Sequence, residues 1–206
     1  MANGVIMRRK KRWQVYPEQP KLIEELSARH GLPPLIARIL LNRGLAAAED
    51  ILAFLDPSLE KLRPPFALPD LEKAAARLGE AVRRGETVAV YGDYDVDGLT
   101  SACLLKHFFQ ELGLTCLTHI PDRLQEGYGL KIPALKELAR SAGLLVTVDC
   151  GVSDAAEVAW AQEHGLEVII TDHHELPLKL PPALAVVNPK RGGEDYPFAD
   201  LAGVGV

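Results

Sequence analysis

The sequence predicts an α/β protein. An open, mostly parallel five-stranded sheet with helices on both faces fills residues 69–206, and a small helical extension and linker precede it over residues 1–68. Three observations predict this. From Asp70 onward, helix-like stretches end in glycine and pass at once into short apolar runs rich in Val, Ile and Thr; glycine is the usual residue just past a helix because it reaches positive φ without a Cβ clash. The runs recur at helix-plus-turn distances, which implies βαβ units and a parallel sheet covered on both faces. The residues just beyond each run are polar or charged, as expected where ligands gather past the carboxyl ends of the strands.

In chain order, Leu22, Ile23 and Leu26 share a helical face that Gly31 and Pro33-Pro34 close off. Leu35, Ile36, Ile39 and Leu40 repeat at helical spacing up to Gly44, and a third segment, Ala46 to Leu55, ends at Asp56-Pro57. The proline-rich stretch Leu62–Pro69 reads as the linker. Beyond it, the apolar runs are Thr87–Val90, Leu114-Thr115, Leu144–Val148, Leu166–Ile170 and, after a proline-rich loop, Leu184–Val187. An amphipathic helix, Leu99 to Leu112, joins the first run to the second.

Hydrophobic residues make up 48 % and charged residues 25 % of the 206, ordinary for a soluble globular protein and incompatible with a disordered tail, a collagen-like repeat or a coiled coil. No apolar run approaches the ~18 residues that span a bilayer. The basic cluster Arg8-Arg9-Lys10-Lys11-Arg12 has no apolar stretch behind it, so it reads as a solvated tail and not as a secretory signal. Cys103, Cys116 and Cys150 are odd in number and irregularly spaced, which fits a reducing, cytoplasmic setting. The net charge, 23 − 28 = −5, argues mildly against non-specific attachment to nucleic acid, although a total hides local sites.

The strand ends hold the chemistry. The first run is followed by Asp93-Tyr94-Asp95-Val96-Asp97-Gly98, the second by Pro121-Asp122-Arg123, the third by Asp149-Cys150-Gly151, the fourth by Asp172-His173-His174 and the fifth by Asn188-Pro189-Lys190-Arg191. A calcium loop starting at Asp93 would need a bidentate glutamate at its twelfth position, where Leu104 stands. Gly98, Thr100 and Ser101 instead suggest a strand-to-helix turn whose helix N-terminus faces an anion. Two adjacent histidines at a strand end have no packing reason to be there. Asp93, Asp95, Asp97, Asp149 and Asp172 on one sheet edge would repel one another without a counter-ion, and a divalent cation is the economical answer. Oxygen-rich ligands with one or two imidazoles suit Mn²⁺ or Mg²⁺. There is carboxylate enough for two ions ~3.5–4 Å apart, the arrangement used in phosphoryl transfer. Cys150 reads as a small buried residue and not as a ligand.

Val90–Gly98, Val148–Gly151 and Asp172–His174 resemble the successive motifs of the DHH phosphoesterase superfamily. The stretch Ile120–Leu130 is similar to that of its bacterial single-strand-specific 5′→3′ exonucleases, and the likeness runs from about Asp70 to the end and into the helical leader. Members acting on pyrophosphate or small nucleotides are expected to have a histidine where Tyr91 stands; here an additional aspartate, Asp93, is present. The resemblance implies that Asp93, Asp95, Asp97, Asp149 and His173 surround a pair of Mn²⁺ or Mg²⁺ ions, with Asp172 among or just behind the ligands. It implies catalytic roles for Asp97, Asp149, His173 and His174, the last touching the scissile phosphate. Arg123 would fork onto a substrate phosphate, Tyr128 would stack on a base or pack, and Asn188 would contact substrate. Substrate and polarity follow from the resemblance alone: single-stranded DNA degraded from its 5′ end, by a monomer that takes no membrane partner and works beside a single-stranded-DNA-binding protein or a helicase. A hydrolase of pyrophosphate, polyphosphate or small nucleotides is the alternative of the same chemistry, and a replication or repair scaffold without metals the alternative of another class. The family pattern continues with a further aspartate and a second domain, so the chain is expected to be the N-terminal part of the nuclease core.

Overall fold

The computed structural model describes residues 12–191, 196 and 198–206. Of the basic cluster Arg8–Arg12, all but Arg12 lie outside the described residues. The chain divides into two units, Met1–Arg63 and Pro64–Val206.

The first unit contains helices α1 (Pro20–His30), α2 (Pro34–Asn42) and α3 (Ala48–Leu55). Each amphipathic stripe supplies its own apolar residues, and Leu26, Ala37, Leu40 and Ile51 meet in a small core.

The second unit contains α4 (Leu71–Arg84), β1 (Val88–Gly92), α5 (Val96–Glu111), β2 (Cys116–His119), α6 (Ile132–Leu138), β3 (Leu144–Val148), α7 (Ala155–Glu163), β4 (Glu167–Thr171) and β5 (Ala185–Val187). The five strands form one sheet in the order β2-β1-β3-β4-β5, with every neighbouring pair parallel. Side chains alternate between its faces. Val88, Val90, Leu144, Val146, Val148 and Ile169 pack under α4 and α5 with Ala81 and Phe109. Ala89, Tyr91, Leu145, Val168 and Ile170 pack under α6 and α7 with Leu135 and Val158. Because both faces are covered, β1 and β3 are buried throughout, which is why they read as unbroken apolar runs.

Two boundaries differ from the sequence reading. The apolar pattern puts the second run at Leu114-Thr115, but Leu114 is a buried plug whose N–H donates to Phe109 O as the chain leaves α5, and β2 begins at Cys116. Helix α5 begins at Val96, not Leu99, because the Asp95 side chain caps it, accepting from Gly98 N at 3.1 Å. Gly98 is required there, since a Cβ at this position would overlap the Asp93 backbone. The proline-rich segment Leu62–Pro69 is not all linker in character: Pro65–Ala67 form a 3₁₀ turn and Leu68 is buried with the α4/α5-side core.

Charge pairs fasten the margins of the sheet. Arg77 of α4 reaches Glu86 at 2.8 Å and Glu167 at 2.7 Å, beside the starts of β1 and β4. The outer edge of β5 is closed by side chains, with Asp70 accepting from Val186 N at 3.1 Å and from Arg191 at 2.7 Å while Arg191 donates to Val186 O, so this edge is not left open to another strand. With order 2-1-3-4-5, the connections diverge between β1 and β3, and the crevice past their carboxyl ends is where such a sheet takes ligands.

Candidate metal centre

Asp93 follows β1 directly, Asp149 follows β3 and Asp172 follows β4, so the parallel register brings all three to one edge. Asp149 sits at φ 60, a left-handed conformation that costs a non-glycine residue roughly 1–2 kcal/mol. Its backbone is held there by Asp149 N donating to Thr171 O at 3.0 Å and by Thr147 Oγ1 donating to Cys150 O at 2.8 Å. The strain turns a carboxylate that is 1 % exposed into the crevice.

Both oxygens of Asp149, and Oδ1 of Asp93, are buried without a hydrogen-bond partner among the described residues. Such bare oxygens are costly unless something positive meets them. Without a cation, the Asp149 carboxyl is pushed up to about 7, chiefly by burial, then by the neighbouring Asp95 carboxylate and by the charge of Asp97, while His174 opposes the rise. Burial likewise raises Asp93, aided by Asp95 and opposed by the Tyr94 N–H, His174 and Arg123.

The histidines face these oxygens in a defined orientation. His173 Nδ1 lies 2.8 Å from Leu201 O; a carbonyl only accepts, so Nδ1 bears a proton and Nε2 is the ring nitrogen turned to the carboxylates. That Nε2 stands 3.1 Å from Asp149 Oδ1 and 3.9 Å from Asp97 Oδ2. Bare carboxylate oxygens and an imidazole nitrogen set against one another are what a ligand cage presents to a cation. His174 Nδ1 meets Asp172 Oδ1 at 2.7 Å, a carboxylate partner that fixes the ring's orientation.

Two sets of donor atoms come within 4.8 Å of one another: Asp149, His173 and His174, and Asp93, Asp95 and Asp149. Asp149 belongs to both, as a carboxylate bridging two cations would. The donors are hard oxygens with two imidazoles, a set that fits a divalent cation of the Mg²⁺ or Mn²⁺ kind. Cys150 adds no ligand, being fully buried with its thiol against Tyr91 O at 3.7 Å.

Not every expected residue occupies the expected position. Asp172 is unexposed and saturated: Oδ1 accepts from His173 N, His174 N and His174 Nδ1, and Oδ2 accepts from Val152 N. With both oxygens engaged by four donors in all, it braces the histidines and leaves neither oxygen bare. Asn188, expected on substrate, is buried and committed to the protein, Nδ2 donating to His174 O at 3.1 Å and Oδ1 accepting from Lys190 N at 2.9 Å. Thr100 and Ser101 turn their hydroxyls back to helical carbonyls. Tyr128 packs its ring edge on His174, 5.6 Å between centroids, and its hydroxyl lies 3.4 Å from Asp149 O. The Arg123 guanidinium lies over the Tyr94 ring at 5.1 Å and makes no ion pair among the described residues.

Several supporting residues escaped the sequence reading. His119, at the end of β2, packs its ring at a tilt against Tyr91 and meets Glu126 at 3.2 Å, while Glu126 also accepts from Asp122 N at 2.8 Å. Asp154 accepts from Leu130 N at 3.1 Å. Together these fasten the 121–130 loop that bears Arg123 and Tyr128. The polar His119 at a strand end was the available signal for the first pair.

Residues 87–206 match the model of the DHH family, N-terminal domain. Among curated proteins, the chain is 40 % identical over 199 residues to the single-stranded-DNA-specific exonuclease RecJ of Bacillus subtilis (strain 168), covering 96 % of this chain and 25 % of that protein. It is 39 % identical over 177 residues to the exonuclease of the same name from Escherichia coli (strain K12), covering 85 % and 30 %. The chain thus spans between a quarter and a third of the length of these relatives. Among solved structures it is similar to exonuclease RecJ bound to manganese, with TM-score 0.62, 39 % identity and coverage of 70 % of this chain and 37 % of that one. It is also similar to RecJ from Thermus thermophilus in complex with Mn²⁺, with TM-score 0.67, 34 % identity and coverage of 92 % and 26 %. The family match takes in more than half of the residues, including every strand and every ligand candidate described above, and the chain belongs to the DHH family.

Proposed function

We propose that the complete gene product is a metal-dependent phosphodiesterase that degrades single-stranded DNA from the 5′ end, and that residues 69–206 form the N-terminal part of its nuclease core behind the helical extension and linker of residues 1–68. The observation that carries this reading is the set of bare, buried carboxylate oxygens on Asp93 and Asp149, with His173 Nε2 3.1 Å from Asp149 Oδ1. The similarity to RecJ exonucleases, two of them with manganese bound, supports the choice of substrate and metal.

Asp93, Asp95, Asp97, Asp149 and His173 would hold two Mn²⁺ or Mg²⁺ ions, with Asp149 common to both. Bound there, the ions supply an acidified water and neutralise charge on the phosphate oxygens. The chain's own groups do the rest. Asp172 accepts from His174 Nδ1 and so turns Nε2 outward, where, once protonated, it would hydrogen-bond a phosphate oxygen or pass its proton to a leaving one. Arg123, stacked on Tyr94 and open to solvent, clamps a neighbouring phosphate and fixes the strand's register. The half-exposed Tyr128 ring borders the same space and offers a face to a terminal base.

Single-stranded DNA is the partner this site needs. A single-stranded-DNA-binding protein or a helicase would present the strand, and a monomer in the cytoplasm suffices for the chemistry. No helix among the described residues is long and apolar enough to cross a membrane.

The test is to incubate the complete gene product with Mn²⁺ and single-stranded DNA labelled at its 3′ end. Stepwise shortening with the label retained, and duplex left intact, is the expected result. An untouched strand together with hydrolysis of pyrophosphate or a short oligonucleotide would assign the site to small substrates instead.

A further inference from the structure

We propose that the segment Leu201–Gly203 is a positioning element for the metal ligands, holding His173, Asp97 and Asp149 through its backbone, and that it can do so because Gly203 has no side chain. The inference rests on the metal-dependent reading of the site and extends it to residues that ligate nothing themselves.

Three contacts carry it, each to a different ligand candidate. Leu201 O accepts from His173 Nδ1 at 2.8 Å, and this bond turns the ring so that Nε2 is directed at the carboxylates. Gly203 N donates to Asp97 Oδ2 at 2.9 Å, which orients that carboxylate beside His173 Nε2. Gly203 also abuts Asp149: a Cβ there would overlap Oδ1 and stand 2.8 Å from Cγ, so any side chain would force the shared carboxylate to move. The segment has a firm seat from which to act, since Gly203 is buried and the Leu201 and Val206 side chains pack on the α4/α5-side core.

This division of labour has a physical reason. The Nδ1–H···O=C bond of a ligating histidine and the N–H donated to a ligating carboxylate set ring and carboxylate orientation before a cation arrives, so less order is lost on binding. Backbone groups are well suited to the task because they bring no charge to compete for the cation.

The segment contains its own control. Gly205 lies two residues on, and a Cβ there would meet only the Leu201 side chain, at 3.3 Å from its tip. Free Mn²⁺ should be titrated by electron paramagnetic resonance against the parent chain, Gly203→Ala and Gly205→Ala, with thermal unfolding in EDTA recorded for each. Gly203→Ala is expected to weaken Mn²⁺ binding about 10–100-fold, with Gly205→Ala unchanged. A purely structural glycine would lower the unfolding midpoint and leave the Mn²⁺ affinity of folded protein as it was; that outcome, or equal loss in both variants, overturns the proposal. Should Gly203→Ala fail to fold, the ¹⁵N spectrum of the imidazoles in the metal-free parent decides, with His173 assigned through His173→Gln. Recorded at a pH where the ring is neutral, the Nδ1–H tautomer supports the proposal and the Nε2–H tautomer refutes it. A parent chain that binds no Mn²⁺ would overturn the metal reading and the positioning role together, whereas parent binding with Gly203→Ala undiminished refutes the positioning role alone.

Discussion

Asp149→Asn should make the metal-free protein more stable while removing its response to metal. The wild-type carboxyl is buried among Asp95 and Asp97, and its pKa is raised from 3.8 to about 7. A group whose folded pKa lies above its unfolded value contributes stability that is complete below the unfolded pKa and lost as pH rises through the folded one. The loss in the absence of metal therefore develops between about pH 4 and about pH 7. At 1.36 kcal/mol per pKa unit, the rise amounts to roughly 4 kcal/mol at pH 8. Asparagine is nearly isosteric, tolerates the left-handed backbone at φ 60, and its amide can donate to His173 Nε2, now 3.1 Å from Oδ1. Because a buried amide still has an incomplete set of partners, about half of that gain, ~2 kcal/mol, should be realised. For a chain of this size that raises the unfolding midpoint by about 4–8 °C. The assay is thermal unfolding by circular dichroism in EDTA at pH 8, repeated at pH 5, where the gain should narrow. With Mn²⁺ at a hundredfold excess over its Kd, the parent should gain about 2.7 kcal/mol and the variant nothing. A variant less stable than the parent in EDTA at pH 8, or one stabilised equally by Mn²⁺, would show that the oxygens of Asp149 are not an uncompensated buried charge.

Three further outcomes follow from the same geometry. Mn²⁺ affinity should rise with pH up to about 7 and level off above, since cation and proton compete for Asp149; calorimetry in two buffers of different ionisation enthalpy should register proton release below that pH, and none would contradict it. Arg123→Ala should leave stability within about 0.5 kcal/mol and raise the KM of the complete protein for single-stranded DNA about tenfold or more, the worth of a charge-assisted phosphate contact; a fall in kcat alone would argue against phosphate positioning. Asp172→Asn should destabilise by about 2–3 kcal/mol, because an amide cannot accept from all the donors that converge on it. Stability within experimental error of the parent, by urea titration, would refute the saturated role.

The sheet was legible wherever burial on both faces left an unbroken apolar run, as in Leu144–Val148, and was misplaced where it did not. β2 is an edge strand, partly exposed along its length, so Cys116–His119 lacks the apolar density that marks its neighbours, and the buried Leu114 just ahead of it drew the boundary forward. The ligand candidates were legible for a related reason. A parallel sheet delivers every strand end to one edge, so the position of Asp93 and Asp149 in the chain already specifies their position in space.

What each carboxylate does there was a different matter. Asp149 and Asp172 occupy the same place in the pattern, first after a strand, yet one presents two bare oxygens and the other none. The difference lies in the next residues of each loop. After Asp172 the chain folds so that the N–H groups of His173 and His174, joined by Val152, point back at its oxygens; after Asp149 the left-handed turn directs the side chain away from its own backbone. Asn188 is drawn inward by the His174 carbonyl in the same way. Residue type thus marks where charge must be held, but backbone donors decide whether a given oxygen is left for a cation. The two groups that set His173 and Asp97, Leu201 O and Gly203 N, come from 28 and 106 residues away, and because they are backbone atoms, residue type records their role only at Gly203, where a side chain would displace Asp149.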